Sequence, residues 1–359
     1  MPRRLARIGL AGGLVLVALL GAELTARMDD LIRRDIPLLA APNHDRDLTM
    51  RDRFGVHGRP FGRYQKWALN RFGFRSPDMT LQPPAGCTRV MVLGASEMFG
   101  YYESEGQEVA AQLTDSLREA GCFEVVNAAM VGFTEAAQTQ LWNNWDVRFR
   151  PAVVMIYPSP AFYLADRPPD YPNVAGPQIL ADQRWWRPRL LERLHERIHY
   201  PQFIQRRRLE RMIAAKLAGH DPDWRWTRAP TDRLALFRRH LDSLVASVKA
   251  SGARMVLVTP TMRFAYPLRG DDDELMLDWR QFFPRPTPAT LMEFVQASDS
   301  IVAGVAKARD AWLVDAASVM NGHRAWFADA THFTDGGSGV MAGLMAAGVL
   351  AEARRATPH

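Results

Sequence analysis

Five short apolar runs constrain the fold of this chain more than any other feature. They are RVMVLG (89–94), FEVVNAA (123–129), AVVMIYP (152–158), RMVLVTP (254–260) and AWLVDA (311–316). Runs without regular polar alternation are typical of parallel strands that helices cover on both faces. Helical patterns separate the runs, over 107–120, 134–146, 232–251 and 290–309. The alternation predicts an α/β protein with an open, doubly wound, five-stranded parallel sheet.

Length and composition agree with one large domain that carries appendages. The chain has 359 residues, of which 47% are hydrophobic, and this is enough for a sizeable core. The formal net charge is only +6, and the sequence contains no nucleic-acid-binding motif. A dedicated nucleic-acid binder and a largely disordered chain are therefore excluded, and acidic partners remain open.

The N-terminus has the composition of a targeting segment. A basic cap, MPRRLAR, precedes fifteen residues without a charge (8–22). This run is short for a hydrocarbon core of about 30 Å and overlaps signal-peptide lengths. Because the sequence that follows is a poor cleavage site, we expect an uncleaved inner-membrane anchor, with a cleaved signal (a secreted protein) or a buried helix as alternatives. The basic cap stays in the cytoplasm, which places the rest of the chain in the periplasm or extracytoplasmic space.

The only two cysteines, Cys87 and Cys122, each lie just before a predicted strand. In an exported protein a disulfide between them at one edge of the sheet is a reasonable hypothesis. Two unlinked thiols are the alternative that the sequence leaves open.

The chain divides into five segments by composition. We assign them as an anchor or signal peptide (1–25), an N-terminal approach segment (26–85), a first part of the α/β domain (86–161), an insertion (162–230) and a second part of the α/β domain (231–355).

The insertion is rich in cations and tryptophan. From residue 184 to residue 239 the chain has fifteen Lys or Arg and six Asp or Glu, with four tryptophans among them. We expect helix over 190–217 with a break near Pro201, where a proline interrupts the pattern. Three interpretations stay open: a solvated helical cap, a patch against anionic lipid, and a groove for an anionic or sugar polymer. The last makes Trp185 and Trp186 candidate substrate-binding residues.

A serine stands where the first predicted strand ends, in Gly94-Ala95-Ser96-Glu97. Open α/β sheets bind ligands at the carboxyl ends of their strands. Ser96 is therefore either a helix cap or a nucleophile that needs a base and an oxyanion site. Glu97 is expected to be solvated.

The last predicted strand is followed by a loop that can supply the base. Asp329 and His332 lie three residues apart in FADATHFTDGGSG. On a turn, this spacing lets the carboxylate bind one imidazole nitrogen and leaves the other free to accept a serine proton.

The order Ser…Asp-x-x-His resembles the SGNH (GDSL-type) hydrolases, over about residues 67–160 and 250–350. The family's first block matches Gly94-Ala95-Ser96, and its last block matches Asp329 and His332. Its second block is similar to VVNAAMVGFTEAAQ, which implies an oxyanion hole from the N–H groups of Ser96 and Gly132 and makes Asn127 a candidate substrate-binding residue. The stretch NRFGFRSPD (70–78) resembles a lead-in of membrane-anchored members. The resemblance implies a three-layer α/β/α, flavodoxin-like fold.

Two positions depart from the family pattern. Ala95 stands where the family has the aspartate of G-D-S, a residue that is not the nucleophile. The third block, which usually supplies an asparagine to the oxyanion, reads MIYPSPAFY here. Ser159 is the candidate substitute, because its hydroxyl can donate where the neighbouring prolines cannot.

Together these features predict a serine esterase or O-acyltransferase. It would act through an acyl-serine on ester groups, mainly O-acetyl groups of an envelope glycan, with no cofactor, no metal and no nucleic-acid partner. The N-terminal segment would bind the membrane. The alternatives are a catalytically inactive SGNH-like module that binds a polysaccharide or a membrane partner, and a lipase-like enzyme for membrane esters.

Overall fold

A five-stranded parallel sheet forms the centre of the molecule. The computed structural model describes residues 2–34, 37–39, 48–64, 66–165, 188–197 and 202–355. The sheet strands are β5 (Thr88–Leu93), β6 (Phe123–Asn127), β7 (Val153–Ile156), β8 (Arg254–Val258) and β9 (Trp312–Val314). Their spatial order is β6-β5-β7-β8-β9, and every neighbouring pair is parallel. This confirms the predicted α/β class and the flavodoxin-like strand order, which reverses direction beside β5.

Helices cover both faces of the sheet. The helices of the α/β part are α2 (Ser96–Phe99), α3 (Val109–Leu117), α4 (Glu135–Asn144), α7 (Thr231–Ala250), α8 (Asp272–Leu275), α9 (Leu277–Arg280), α10 (Pro288–Ala308), α11 (Ala316–Met320) and α12 (Asp335–Arg355). Successive strand residues point to opposite sides. Met91 and Leu93 thus pack into the core with α4, α7 and α10, and Val90 and Val92 pack into the core with α3 and α12.

The N-terminus forms one long helix, α1 (Pro2–Arg34), which is longer than the expected fifteen-residue apolar run. The most apolar 18 residues of its segment Gly9–Ile32 have a mean hydropathy of 1.8, and nearly all of their side chains are exposed. Length and composition suit a membrane anchor or a signal sequence. Among the described residues, Asp335–Arg354 of α12 is also long and apolar enough, but half of it is buried and it packs in the core beside the sheet.

Two small antiparallel hairpins follow α1. They are built from β1 (Thr49–Asp52) with β2 (Gly55–Gly58) and from β3 (Arg63–Tyr64) with β4 (Trp67–Ala68). The insertion contains α5 (Arg189–Arg197) and α6 (Gln202–Leu217), in agreement with the predicted helix, whereas the predicted break near Pro201 lies outside the described residues.

The two cysteines form a disulfide. Cys87 precedes β5 and Cys122 precedes β6, and their Cα atoms are 4.6 Å apart. The backbone N–H of Thr88 donates to the Cys122 carbonyl over 2.8 Å. The disulfide therefore joins the two strands at their amino ends, opposite the edge where Ser96 lies.

Candidate active site

Ser96 occupies a tight turn between β5 and α2. At Gly94 a Cβ atom would lie 2.7 Å from Met98 Cγ and 3.2 Å from the Tyr157 carbonyl oxygen, so a side chain would force a neighbour to move. The glycine thus lets the chain turn within two residues, and α2 begins at Ser96, whose exposure is only 8%. The nucleophile candidate therefore lies at the carboxyl end of β5, beside the point where the strand order reverses.

Side chains from two distant segments hold the short helix α2 in place. Asn127 Nδ2 donates to the Met98 carbonyl over 3.0 Å, and Arg75 Nη1 donates to the Phe99 carbonyl over 2.7 Å. A four-residue helix cannot pair its last carbonyls internally, so these donors stabilise its end. Asn127 is fully buried, and its Oδ1 accepts from the Ala129 N–H. The structure thus corrects the expectation of a substrate contact: the Asn127 amide positions the turn that carries Ser96.

Asp329 and His332 form the predicted pair. His332 Nδ1 lies 2.9 Å from Asp329 Oδ1 and 2.8 Å from Asp329 Oδ2. The same carboxylate accepts the backbone N–H groups of Thr331 and His332, over 3.0 and 2.9 Å. With Nδ1 donating to Asp329, Nε2 is the nitrogen that can accept a proton. Nε2 is buried and has no protein partner among the described residues.

Burial and the contacts with neighbouring groups shift the pKa values of His332 and Asp329 in opposite directions. Burial by itself lowers the pKa of His332, but the hydrogen bond with Asp329 and the nearby charge of Glu97 outweigh it, and the net pKa is raised above 6.5. Burial by itself raises the pKa of Asp329, but the hydrogen bonds from His332 and Thr331 hold the net pKa below its usual value. Asp329 therefore stays ionised and favours the imidazolium that forms when His332 takes a proton.

Contacts between the two loops bring Ser96 and His332 to the same edge of the sheet. The rings of Tyr101 and Tyr102, which follow α2, lie 5.5 and 5.3 Å from the His332 ring, centre to centre. Two further links join the loops: Ser104 Oγ donates to Asp335 over 2.7 Å, and Ser338 Oγ donates to Glu103 over 2.7 Å.

Ser96 and His332 do not form a hydrogen bond with each other in this structure. The unpartnered Nε2 leaves the imidazole able to accept one. Hydrogen bonds of catalytic groups are often long before substrate binds, so the arrangement is compatible with a Ser–His–Asp triad.

The two backbone donors expected for an oxyanion hole are available. Ser96 is the first residue of α2, where helix N–H groups have no intrahelical acceptor. Gly132 adopts φ +78° in the half-buried loop after β6, a conformation that favours glycine. Within the described part of the chain neither N–H donates to a protein acceptor.

Ser159 lies at the carboxyl end of β7, but its polar groups are engaged with carboxylates. Its Oγ donates to Glu97 Oε2 over 3.3 Å, and its N–H donates to Glu135 Oε1 over 2.8 Å. Glu97 is 9% exposed, so the expectation of a solvated side chain is wrong. Burial raises the pKa of Glu135. In this arrangement the Ser159 hydroxyl proton points to a carboxylate, so Ser159 does not offer it to an oxyanion.

The sequence interpretation missed several residues around the site. Tyr102 is half exposed at the rim, and burial together with the charge of Asp329 raises its pKa to about 12. Arg75 supports α2, and Glu103 binds the start of α12. Arg75 belongs to the stretch NRFGFRSPD (70–78), whose resemblance to a family lead-in was visible in the sequence. Tyr102 and Glu103 carried none, because their roles depend on contacts with a loop more than two hundred residues away.

The tryptophans of the insertion have different environments. Trp185 and Trp186 lie outside the described residues. Trp226 is covered by the Arg285 guanidinium, 4.0 Å from the ring centre, and Trp224 stacks on His220 at 3.8 Å. The described tryptophans of this segment are therefore engaged within the protein. In the described ranges, no group of His, Cys, Asp and Glu side chains is arranged to hold a metal ion.

Comparisons with known proteins give structural matches only. No protein-family model and no curated protein sequence matches the chain. A mutant acetyl-xylooligosaccharide esterase from Geobacillus matches with 15% identity and a TM-score of 0.41, over 74% of this chain and 93% of that one. A lipase/acylhydrolase from Enterococcus faecalis matches with 14% identity and a TM-score of 0.41, over 72% and 94%. A G-D-S-L family lipolytic protein from Desulfitobacterium hafniense matches with 13% identity and a TM-score of 0.40, over 72% and 98%.

Similarity at this level carries no conclusion about activity or substrate, and the assignment rests on the chain's own geometry. Its features are the strand order β6-β5-β7-β8-β9, Ser96 directly after the first strand of that sheet, and the bonded Asp329–His332 pair after the last. The strand order and the positions of Ser96, Asp329 and His332 agree with what the sequence resemblance to the SGNH (GDSL-type) hydrolases implies.

Proposed function

We propose that this protein is a serine esterase or O-acyltransferase that works through an acyl-serine. The observation that carries the proposal is the Asp329–His332 pair, whose buried Nε2 is left without a protein partner at the sheet edge that bears Ser96. A histidine that is oriented by a carboxylate and has a free second nitrogen is the base that a serine nucleophile requires.

The chemistry follows from the positions of these groups. Ser96 Oγ attacks the ester carbonyl while His332 Nε2 takes the hydroxyl proton, and Asp329 stabilises the imidazolium. The N–H groups of Ser96 and Gly132 bind the oxyanion. His332 then gives the proton to the departing alcohol, which leaves the acyl group on Ser96. Water releases the acyl group in a hydrolase, and another hydroxyl accepts it in a transferase.

We infer a substrate class from the surroundings of the site. Helix α1 is long and apolar enough to anchor the protein at a membrane, and an exposed Tyr102 ring at the rim suits stacking against a sugar. Ester groups on an envelope glycan, mainly O-acetyl groups, match both features. Acetate release from an O-acetylated polysaccharide, compared with long-chain lipid esters, separates this substrate from a lipase-like role.

Labelling with a fluorophosphonate tests the reaction class in the full chain purified in detergent. Labelling is expected in the wild type, none in Ser96→Ala, and a reduction of about 10³-fold or more in His332→Ala. Ser116→Ala changes an exposed serine on α3 and serves as the matched control with unchanged labelling. Equal labelling of Ser96→Ala and wild type would overturn the assignment.

One observation favours a second candidate, an inactive module that binds a polysaccharide. Ser159 stands where the family has its asparagine donor, and its hydroxyl is held by Glu97. An oxyanion site without this donor loses about 10²–10³ in rate in other enzymes. Absence of both labelling and ester turnover, together with polysaccharide binding that Ser96→Ala leaves unchanged, would establish this candidate.

A further inference from the structure

The C-terminal part of helix α1 binds the insertion. Glu23 accepts the backbone N–H groups of Arg189 and Leu190, both over 2.8 Å. These N–H groups belong to the first turn of α5, where a carboxylate is favoured by unpaired donors and by the helix dipole. Asp30 is 3% exposed and binds Arg193 Nη2 over 2.6 Å. The insertion is thus held beside the end of the apolar helix.

Helix α6 must lie near the same region. Only four residues separate the end of α5 from the start of α6, a span of at most about 18 Å. The inner side of α6 is fixed to the α/β part of the molecule: Ile213 is 4% exposed, and Arg206 Nη1 lies 2.7 Å from Glu274. The other side of the helix faces outward.

That outward side, the outer face of α6, combines apolar and cationic groups. Phe203, Ile204 and Met212 are 61%, 40% and 37% exposed. The remaining members of the face are Ala215 and three exposed arginines, Arg207, Arg208 and Arg211. None of these arginines pairs with a carboxylate among the described residues. Seven residues that recur every three or four positions therefore form one exposed stripe.

We propose that the outer face of α6 lies on the anionic surface of the membrane in which α1 is anchored. Phe203, Ile204 and Met212 would enter the headgroup boundary, and the arginines would bind lipid phosphates. Aromatic and aliphatic side chains interleaved with arginine are typical of helices in this interface. The link between α1 and α5 brings this face to the bilayer without a separate binding step. The end of the sheet that carries Ser96 would then have a fixed orientation relative to the membrane instead of moving freely on a tether.

The test uses the full chain in lipid nanodiscs and does not depend on catalysis. A nitroxide is attached at Ala215→Cys, because the two native cysteines are engaged in a disulfide. In discs that contain anionic phosphatidylglycerol, the label is expected to become accessible to membrane-dissolved oxygen and protected from a water-soluble nickel complex. In purely zwitterionic discs the protection is expected to be weaker. A label at Arg239→Cys, exposed on α7, should stay in water in both lipids.

Charge reversal separates contact with lipid from mere proximity. The combined substitutions R207E, R208E and R211E should return the label to water. At each fraction of phosphatidylglycerol in the discs, the protection of the label from the nickel complex should fall about tenfold or more. The matched set R228E, R238E and R239E reverses three exposed arginines elsewhere and should have no effect. Unchanged melting temperatures check that both sets fold.

Two outcomes would overturn the proposal. One is a label that is equally accessible to water in anionic and zwitterionic discs. The other is protection in zwitterionic discs by a soluble anionic polysaccharide but none by anionic lipid, which would make the face a polymer-binding surface.

Discussion

At the scale of single residues, the protonation state of His332 decides whether the site can act as a base. A raised folded-state pKa means that the imidazole becomes protonated at a higher pH than free histidine. A protonated imidazole cannot accept the Ser96 proton. Activity is therefore expected to fall as the pH drops through a value above 6.5, with kcat/KM as the measurement.

Removing the Asp329 charge should move the acidic limb of the pH profile of kcat/KM to lower pH. In Asp329→Asn the largest contribution that raises the His332 pKa is lost, while the charges of Glu97 and Glu103, which raise it, and burial, which lowers it, remain. The acidic limb of kcat/KM should shift downward, and the plateau should fall by about 10³–10⁴-fold because the tautomer is no longer fixed. Asp242→Asn breaks an ion pair with Arg309 far from the site and should leave the profile unchanged. A limb that stays in place in Asp329→Asn would contradict the role assigned to the pair.

The bond between Ser159 and Glu97 leads to a prediction of increased activity. In Ser159→Asn the amide has two donor hydrogens, so one can bind Glu97 while the other reaches the oxyanion. We expect kcat for a small acetyl ester to rise by about tenfold or more.

Ser159→Ala is the matched control. It should change kcat by less than about twofold, since the hydroxyl proton is directed to Glu97. A large loss of activity in Ser159→Ala would identify Ser159 as an oxyanion donor and refute our interpretation.

At the scale of secondary-structure elements, the sheet was predictable because the signal is local. The run RMVLVTP predicts a strand over 254–260, and β8 spans Arg254–Val258. A strand buried on both faces must be apolar along its whole length, so its own residues are enough to predict it. The Asp329–His332 pair was predictable for the same reason, because its two residues lie only three positions apart on one turn.

The hydrogen bonds and the burial of the groups around the site could not be predicted, because they depend on packing between distant segments. Glu97 looks like a surface carboxylate in sequence, yet β7 and α4 bring Ser159 and Glu135 around it. Asn127 looks like a polar group at a strand end that could meet substrate, yet it binds the carbonyl that closes α2. A charge or an amide in the sequence does not reveal which backbone groups will need it.

The disulfide acts on the opposite end of these elements from the site. It closes a separation of 35 residues, which corresponds to about 3–4 kcal/mol of stabilisation in the chain-entropy model. The double substitution Cys87→Ser and Cys122→Ser should therefore lower the melting temperature by several degrees. At a temperature where the variant is folded, fluorophosphonate labelling of Ser96 should stay within about twofold of wild type. A loss of labelling in the folded variant would show that the amino ends of β5 and β6 influence the site.

At the scale of the whole molecule, three features predict that the site lies outside the cytoplasm. The basic cap precedes the uncharged run 8–22 of α1, and a disulfide such as Cys87–Cys122 is typical of an oxidising compartment. Positive charge is retained on the cytoplasmic side, so the sheet and the outer face of α6 should both lie outside the cytoplasm. A glycan of the envelope is accessible only from there.

Fusions to the C-terminus of the full chain test this orientation. Alkaline phosphatase, which is active only outside the cytoplasm, should be active, and green fluorescent protein should be dark. The cysteines should resist maleimide in the denatured protein until they are reduced. Reversing the cap with Arg3→Glu, Arg4→Glu and Arg7→Glu should reduce phosphatase activity, because the charge that sets the direction is lost. Fluorescent fusions with freely reactive cysteines would place the site in the cytoplasm and would exclude an envelope glycan as the substrate, while leaving the Ser96–His332–Asp329 chemistry untouched.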